Sequence, residues 1–188
     1  MNGLKFCIIG TAKSQDKSQY YISERWRMWG ILFFTRKIET YWKNMDDFEK
    51  NANQEFAIKN QFSFFDLIDG TYSVDSKIDF SNENIKNNIQ KNTEKIINTD
   101  VKNLIFNGKK AYQTFLYGCT LLDENITHLF KLKKVIKESH YGKQILQIDS
   151  KILNERLSKK NIYLAPNTSS TAKSFNEFQW IEILNAIN

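Results

Sequence analysis

The chain has 188 residues, 41% of them hydrophobic, and 27 Lys and Arg against 21 Asp and Glu give a net charge of +6. That length makes one ordinary domain with a real core, which excludes a disordered tail, and the modest basic excess suits a polyanionic partner without requiring one. Two cysteines, Cys7 and Cys119, make neither a disulfide framework nor a zinc knuckle, and His128 and His140 lack ligand-type spacing to them, so no metal site is expected.

The apolar run Phe6 to Ile9 is too short for an export signal, and no stretch approaches the ~20 apolar residues of a membrane span. The expected location is therefore cytoplasmic. Leu4 to Ile9, closed by Gly10, predicts a buried parallel strand followed by a loop over 10–18. Cys7 within it is expected to be a buried, inert thiol. Ile22 to about Phe34 is dense in apolar and aromatic residues, which predicts a largely buried helix with Ser23 as its N-cap. Phe62 to Ile68 fits a strand or an inward-packing loop, and 69–82 is polar enough to read as a loop.

Ile85, Ile89, Ile96 and Ile97 fall near helical spacing and predict a helix over 83–98. Val101 to Phe106 predicts a strand ending at Asn107–Gly108. A helix follows over 109–117, with Gly118 as its C-cap. Residues 145–158 are expected to be helical, and Ile162 to Ala165 is a strand stopped by Pro166, the single proline. A last helix over about 175–187 carries Phe178, Ile181, Leu184 and Ile187 on one face. The Lys-rich stretch 131–137 reads as a solvated helix face.

Alternating strands and helices predict one α/β domain over 1–188, a three-layer α/β/α sandwich on a short, mainly parallel sheet. Ligands of such sheets bind beyond the carboxyl ends of the strands. The loops 10–18, 107–110 and 166–173 leave those ends and should converge. Asn167, Thr168, Ser169 and Ser170 form a small polar loop of the kind that binds phosphate oxygens, though a strand-to-helix turn has the same composition. Lys13 and Lys173 could add phosphate contacts. Asn107–Gly108 is also a common turn pair. Trp26 and Trp29 read as core and Arg27 as a helix-face charge.

Three segments carry a family likeness. The first is Gly10–Thr11–Ala12–Lys13–Ser14, followed by Gln19–Tyr20–Tyr21 and Trp26–Arg27–Met28–Trp29. The second is Leu104 to Tyr112, reading LIFNGKKAY, and the third is Leu164 to Thr171, reading LAPNTSST. In this order they resemble the uracil-DNA glycosylase superfamily, closest to its hypoxanthine-DNA glycosylase and mismatch-specific uracil glycosylase branch, over roughly residues 4 to 187. The resemblance implies a monofunctional DNA N-glycosylase, a hydrolase without cofactor that works as a monomer on DNA containing a damaged or modified base. Hypoxanthine is the first expectation, uracil the second, and a bulkier modification the third.

On that resemblance, Gly10, Thr11, Ala12 and Tyr21 line the base pocket, with Tyr21 stacking on the flipped base. Lys13, Ser14, Asn167, Thr168, Ser169, Ser170 and Lys173 contact the DNA. Many relatives carry Asn or Asp where this chain has Ala12, and Lys13 replaces the Pro that usually follows. Alanine can neither orient a water nor stabilise a cation. Asn107, at a strand end, is the candidate catalytic residue instead, because an amide offers both a donor and an acceptor. Asp66 and Asp69 are alternative acids within reach.

Two other classes compete with this reading. One is the same fold with a dead pocket that binds DNA or a modified base without cutting, which Ala12 favours. The other is an unrelated α/β enzyme of nucleotides or small metabolites, disfavoured by the lack of a Gly-rich phosphate loop.

Overall fold

In a computed structural model the described residues are 3–14, 26–72, 78–124, 141, 142, 144, 155–168 and 175–187. Four strands form one sheet: β1 (Phe6–Ser14), β2 (Phe62–Tyr72), β3 (Asn103–Asn107) and β4 (Asn161–Ala165). Their order is β2-β1-β3-β4 and every pair is parallel. The expected three-layer α/β/α sandwich is therefore what the chain forms. A short antiparallel bridge from Gln144 to Tyr163, with a bond from the Gly142 amide to the Leu164 carbonyl at 2.9 Å, runs along the outer edge of β4.

Side chains alternate across the strands and divide the core into two layers. Phe6, Ile8, Phe62, Phe64, Ile105, Tyr163 and Ala165 face one side. They pack with α1 (Trp26–Phe34), α2 (Met45–Asn51), α3 (Gln54–Lys59) and α6 (Glu177–Ala186). Cys7, Ile9, Leu104, Phe106, Ile162 and Leu164 face the other side. There they meet α4 (Glu83–Asn98) and α5 (Lys109–Leu122).

Trp29 is the hub of the first layer. It is fully buried, and Trp42, Phe48, Phe56, Phe62 and Phe64 surround it with ring centroids 5.3 to 6.2 Å away. Most of these rings meet edge-to-face or tilted, as their quadrupoles favour. The sequence reading of Trp29 as core thus holds. Arg27 is exposed and lies over the Phe175 ring, 5.1 Å from its centroid, which links α1 to the segment before α6. Ser23 lies outside the described residues, as do 145–154 and the Lys-rich stretch 131–137.

Helix α4 spans the predicted 83–98, with Ile85, Ile89, Ile96 and Ile97 buried. The Asn82 side chain caps it by accepting from the amides of Asn84 and Ile85. Other elements depart from expectation. Strand β1 does not stop at Gly10 but runs to Ser14, paired with a β2 that extends to Tyr72, with a bulge between Ala12 and Lys13. Residues 69–72 are accordingly strand rather than loop.

Gly118 is not a C-cap. It lies buried inside α5, and a Cβ there would meet Thr93 Oγ1 at 1.9 Å. Its role is to let α5 and α4 approach closely. Helix α6 buries Trp180, Ile183 and Leu184, while Phe178 is 70% exposed, so the expected stripe is rotated. The Trp180 indole N–H donates to the Pro166 carbonyl at 2.8 Å, and this bond fixes the rotation.

Candidate functional site

The carboxyl ends of β1, β2 and β3 lie side by side. Gly10 pairs with Asp66 and Asn107 pairs with Ala165. Ile9 pairs with Phe106, so the next residue along, Gly10, comes level with Asn107. One transverse row therefore crosses the whole sheet: Asp66, Gly10, Asn107, Ala165. Alternation turns all four to the same face, since Phe64, Ile8, Ile105 and Tyr163 two residues earlier all belong to the first core layer. Asp66 is 6% exposed and Asn107 8%, which makes them the two buried polar members of the row.

Asn107 is held from the next strand's loop. Its Nδ2 donates to Thr168 Oγ1 at 3.1 Å, and the Thr168 amide donates to Asn107 Oδ1 at 3.0 Å. Each bond is ordinary, but the pair fixes the amide in one orientation and one O/N assignment. Gly108 follows with φ +95°, where a side chain is strained, and a Cβ there would sit 3.0 Å from the Asn167 Cβ. Its amide donates to the Ala165 carbonyl at 2.9 Å. The loops after β3 and β4 are thus stitched together, as the sequence suggested.

The expected first loop is different. Gly10, Thr11 and Ala12 are strand residues, Gly10 buried and the other two half-buried. Lys13 and Ser14 continue the strand past the bulge, and only their backbone is described. Ala12 packs beside the buried Ile68, Ile85 and Ile89, which are apolar surroundings. This end of β1 offers ligands no polar side chain from position 12.

Thr168, expected at the DNA, is fully buried, and both its hydroxyl and its amide are bonded to Asn107, so it clamps the candidate amide rather than reaching a phosphate. Asn167 beside it is exposed. Tyr21, Ser169, Ser170 and Lys173 lie outside the described residues. The two alternative acids separate. Asp66 joins the row, whereas Asp69 accepts from Asn92 Nδ2 of α4 at 3.0 Å. The alternation Phe62, Phe64, Asp66 is the signal that separates them in sequence, once 62–72 is known to be one strand.

The thiols are inert. Burial pushes Cys7 up to about 12, and the nearby Asp66 charge acts the same way while the Ser63 side chain opposes it. Burial also raises Cys119 well above the ordinary thiol range. Neither is a nucleophile near neutral pH. Among the described residues no group of three or more His, Cys, Asp and Glu could hold a metal ion, and no helix is long and apolar enough to cross a membrane. The chain matches no protein-family model, and no curated protein matches it.

Proposed function

We propose that this chain is a monofunctional DNA N-glycosylase that extrudes a damaged or modified base and hydrolyses its C1′–N bond. One observation carries the reading: a buried, doubly bonded amide, Asn107, stands at the carboxyl edge of a parallel sheet inside one of the three segments that resemble the uracil-DNA glycosylase superfamily. Such an enzyme has to stack the base, bond its edge and stabilise charge that develops as the bond breaks. Thr168 engages one N–H and one lone pair of the amide. An Asn side chain has a second N–H and a second lone pair with which to meet a base edge or a water. The net charge of +6 suits DNA, and the enzyme acts as a monomer in the cytoplasm.

The test is incision of labelled duplexes carrying uracil, hypoxanthine or xanthine, followed by alkali, with wild type and Asn107→Ala. Lesion-dependent cleavage that the variant loses is the expected result. No cleavage at any lesion would remove the enzymatic reading.

A second reading has its own support. Ala12 stands in an apolar setting where many members of the resembled superfamily carry Asn or Asp. A non-cutting module of the same fold would bind DNA in a salt-sensitive way and leave every base in place.

A further inference from the structure

The transverse row has a shape that neither reading above uses. Asp66 and Asn107 sit on strands two apart, about 10 Å between backbones by ordinary strand spacing. The strand between them contributes Gly10, which has no side chain. A carboxylate and a clamped amide thus flank a gap in the row. Ala165 beyond Asn107 adds only a methyl group.

The two walls differ chemically. An amide both donates and accepts, but a carboxylate only accepts. Whatever edge meets Asp66 must therefore offer N–H groups. Uracil offers one N–H between two carbonyl oxygens, and hypoxanthine one N–H beside one carbonyl. In both, an oxygen lone pair would face a carboxylate oxygen. Guanine instead presents its ring N1–H and its 2-amino group side by side, matching the two carboxylate oxygens as a guanidinium does.

Charge narrows the choice further. A guanine alkylated at N7 is a cation, and a buried carboxylate favours a cation far more than water does. Such a base also needs less help to leave. Water oxygen bonds to C1′, and the electron pair of the C1′–N9 bond passes to the ring and neutralises it. The water's proton goes to solvent. No base anion forms, so a first strand carrying Ala12 is no handicap.

We infer that Asp66, across Gly10 from Asn107, is the specificity-determining residue of this site and selects a guanine-type base, above all one alkylated at N7. The inference rests on the glycosylase reading for its chemistry and on the row for its selectivity.

The experiment compares wild type with Asp66→Asn on duplexes carrying N7-methylguanine, hypoxanthine, uracil or unmodified guanine, after subtracting spontaneous depurination. Wild type should incise N7-methylguanine about tenfold or more faster than hypoxanthine or uracil, the size a good bidentate contact to a base commands. Asp66→Asn should erase that preference while keeping affinity for undamaged duplex. Gly10→Val, which fills the gap and leaves Asp66 intact, should abolish incision of N7-methylguanine.

Faster incision of hypoxanthine or uracil by wild type overturns the inference and leaves the glycosylase reading standing. So does equal incision of N7-methylguanine by a folded Asp66→Asn. If wild type incises nothing, the enzymatic reading falls, and calorimetric titration with free 7-methylguanine decides the rest. Binding tighter than hypoxanthine, lost in Asp66→Asn or Gly10→Val, upholds the selectivity of the row, and no binding overturns it. Should Asp66→Asn fail to fold, the wild-type lesion preference and Gly10→Val still decide.

Discussion

The two faces of the sheet are built differently. The face under α4 and α5 is covered by two long helices in close contact, with Gly118 of one against Ile89 and Thr93 of the other. Its core is largely aliphatic and includes both cysteines. The opposite face is covered by shorter helices and filled by large rings, including Trp29, Trp42, Phe48, Phe62, Phe64 and Trp180. The buried polar members of the row, Asp66 and Asn107, turn toward this second face. A tight helical pair thus serves as the rigid support, and polar groups are concentrated on the side assembled from short pieces. Catalytic and binding groups commonly sit this way, on loops and strand ends held by a stiff frame.

Substitutions can break or sharpen that contrast. Trp29→Ala removes the centre of the aromatic face and should cost about 3–5 kcal/mol in urea denaturation. A loss below 1 kcal/mol would mean the rings are not a cooperative core. On the other face, Gly118→Ala forces a Cβ into Thr93 and should cost about 1–3 kcal/mol. Adding Thr93→Ala should recover part of it, because residues in contact do not act independently. Purely additive losses would show that the helices do not touch at this point.

Asn107→Ala leaves the buried Thr168 amide and hydroxyl without their partner, at a cost of about 1–3 kcal/mol. Asn107→Asp should keep most of that stability, since its oxygens can accept from both Thr168 groups. If both variants keep the stability of wild type, Thr168 is not clamped by Asn107.

The smallest effect is a pH slope on the helical-pair face. The Cys7 thiol titrates near 12 when folded, against an ordinary value of 9.0. A raised folded value means that its stabilising contribution is fully present below pH 9. It is lost as pH rises from there toward 12, because only the unfolded chain ionises. The loss is about 1.4 kcal/mol per pH unit. Cys7→Ala should flatten the stability profile by that amount between pH 9.5 and 11, and parallel profiles would show that the thiol is not buried in the native state.

What could be read in the sequence follows the strength of local signals. Helix α4 was legible because its isoleucines recur at helical spacing and Asn82 stands before them. The four strands were placed because three are short apolar runs with a Gly, Asn or Pro at the end. Strand β1 ran past its expected stop because Gly10 was read as punctuation, whereas its partner is Asp66 on a neighbouring strand, and pairing overrides a local breaker.

Gly118 misled for the same reason, since its cause is Thr93, 25 residues earlier on another helix. Helices α2 and α3 had signals that could have found them. Asn44 and Asn53 each cap a short helix, and acidic residues follow in the first turn. In the candidate site, Asn107 was legible from its strand end. The clamp by Thr168 was not, because a buried threonine and a solvated one look alike in a polar loop. The row was not legible either, since it depends on register across three strand pairs.

The strand order has a consequence for how the molecule comes together. Strand β1 is central, yet its neighbours are β2 and β3, and β3 begins almost 100 residues later at Asn103. The Asn107–Thr168 clamp needs a segment from 61 residues further still. Contacts this distant in sequence are slow to find. During synthesis from the N-terminus, β1 and β2 can meet early as a two-stranded ribbon, with one edge of β1 exposed until β3 emerges. Asp66 and Gly10 then take their places long before Asn107 does. The site is among the last features of the chain to exist, so a truncated or stalled product would carry half of the row and none of its clamp.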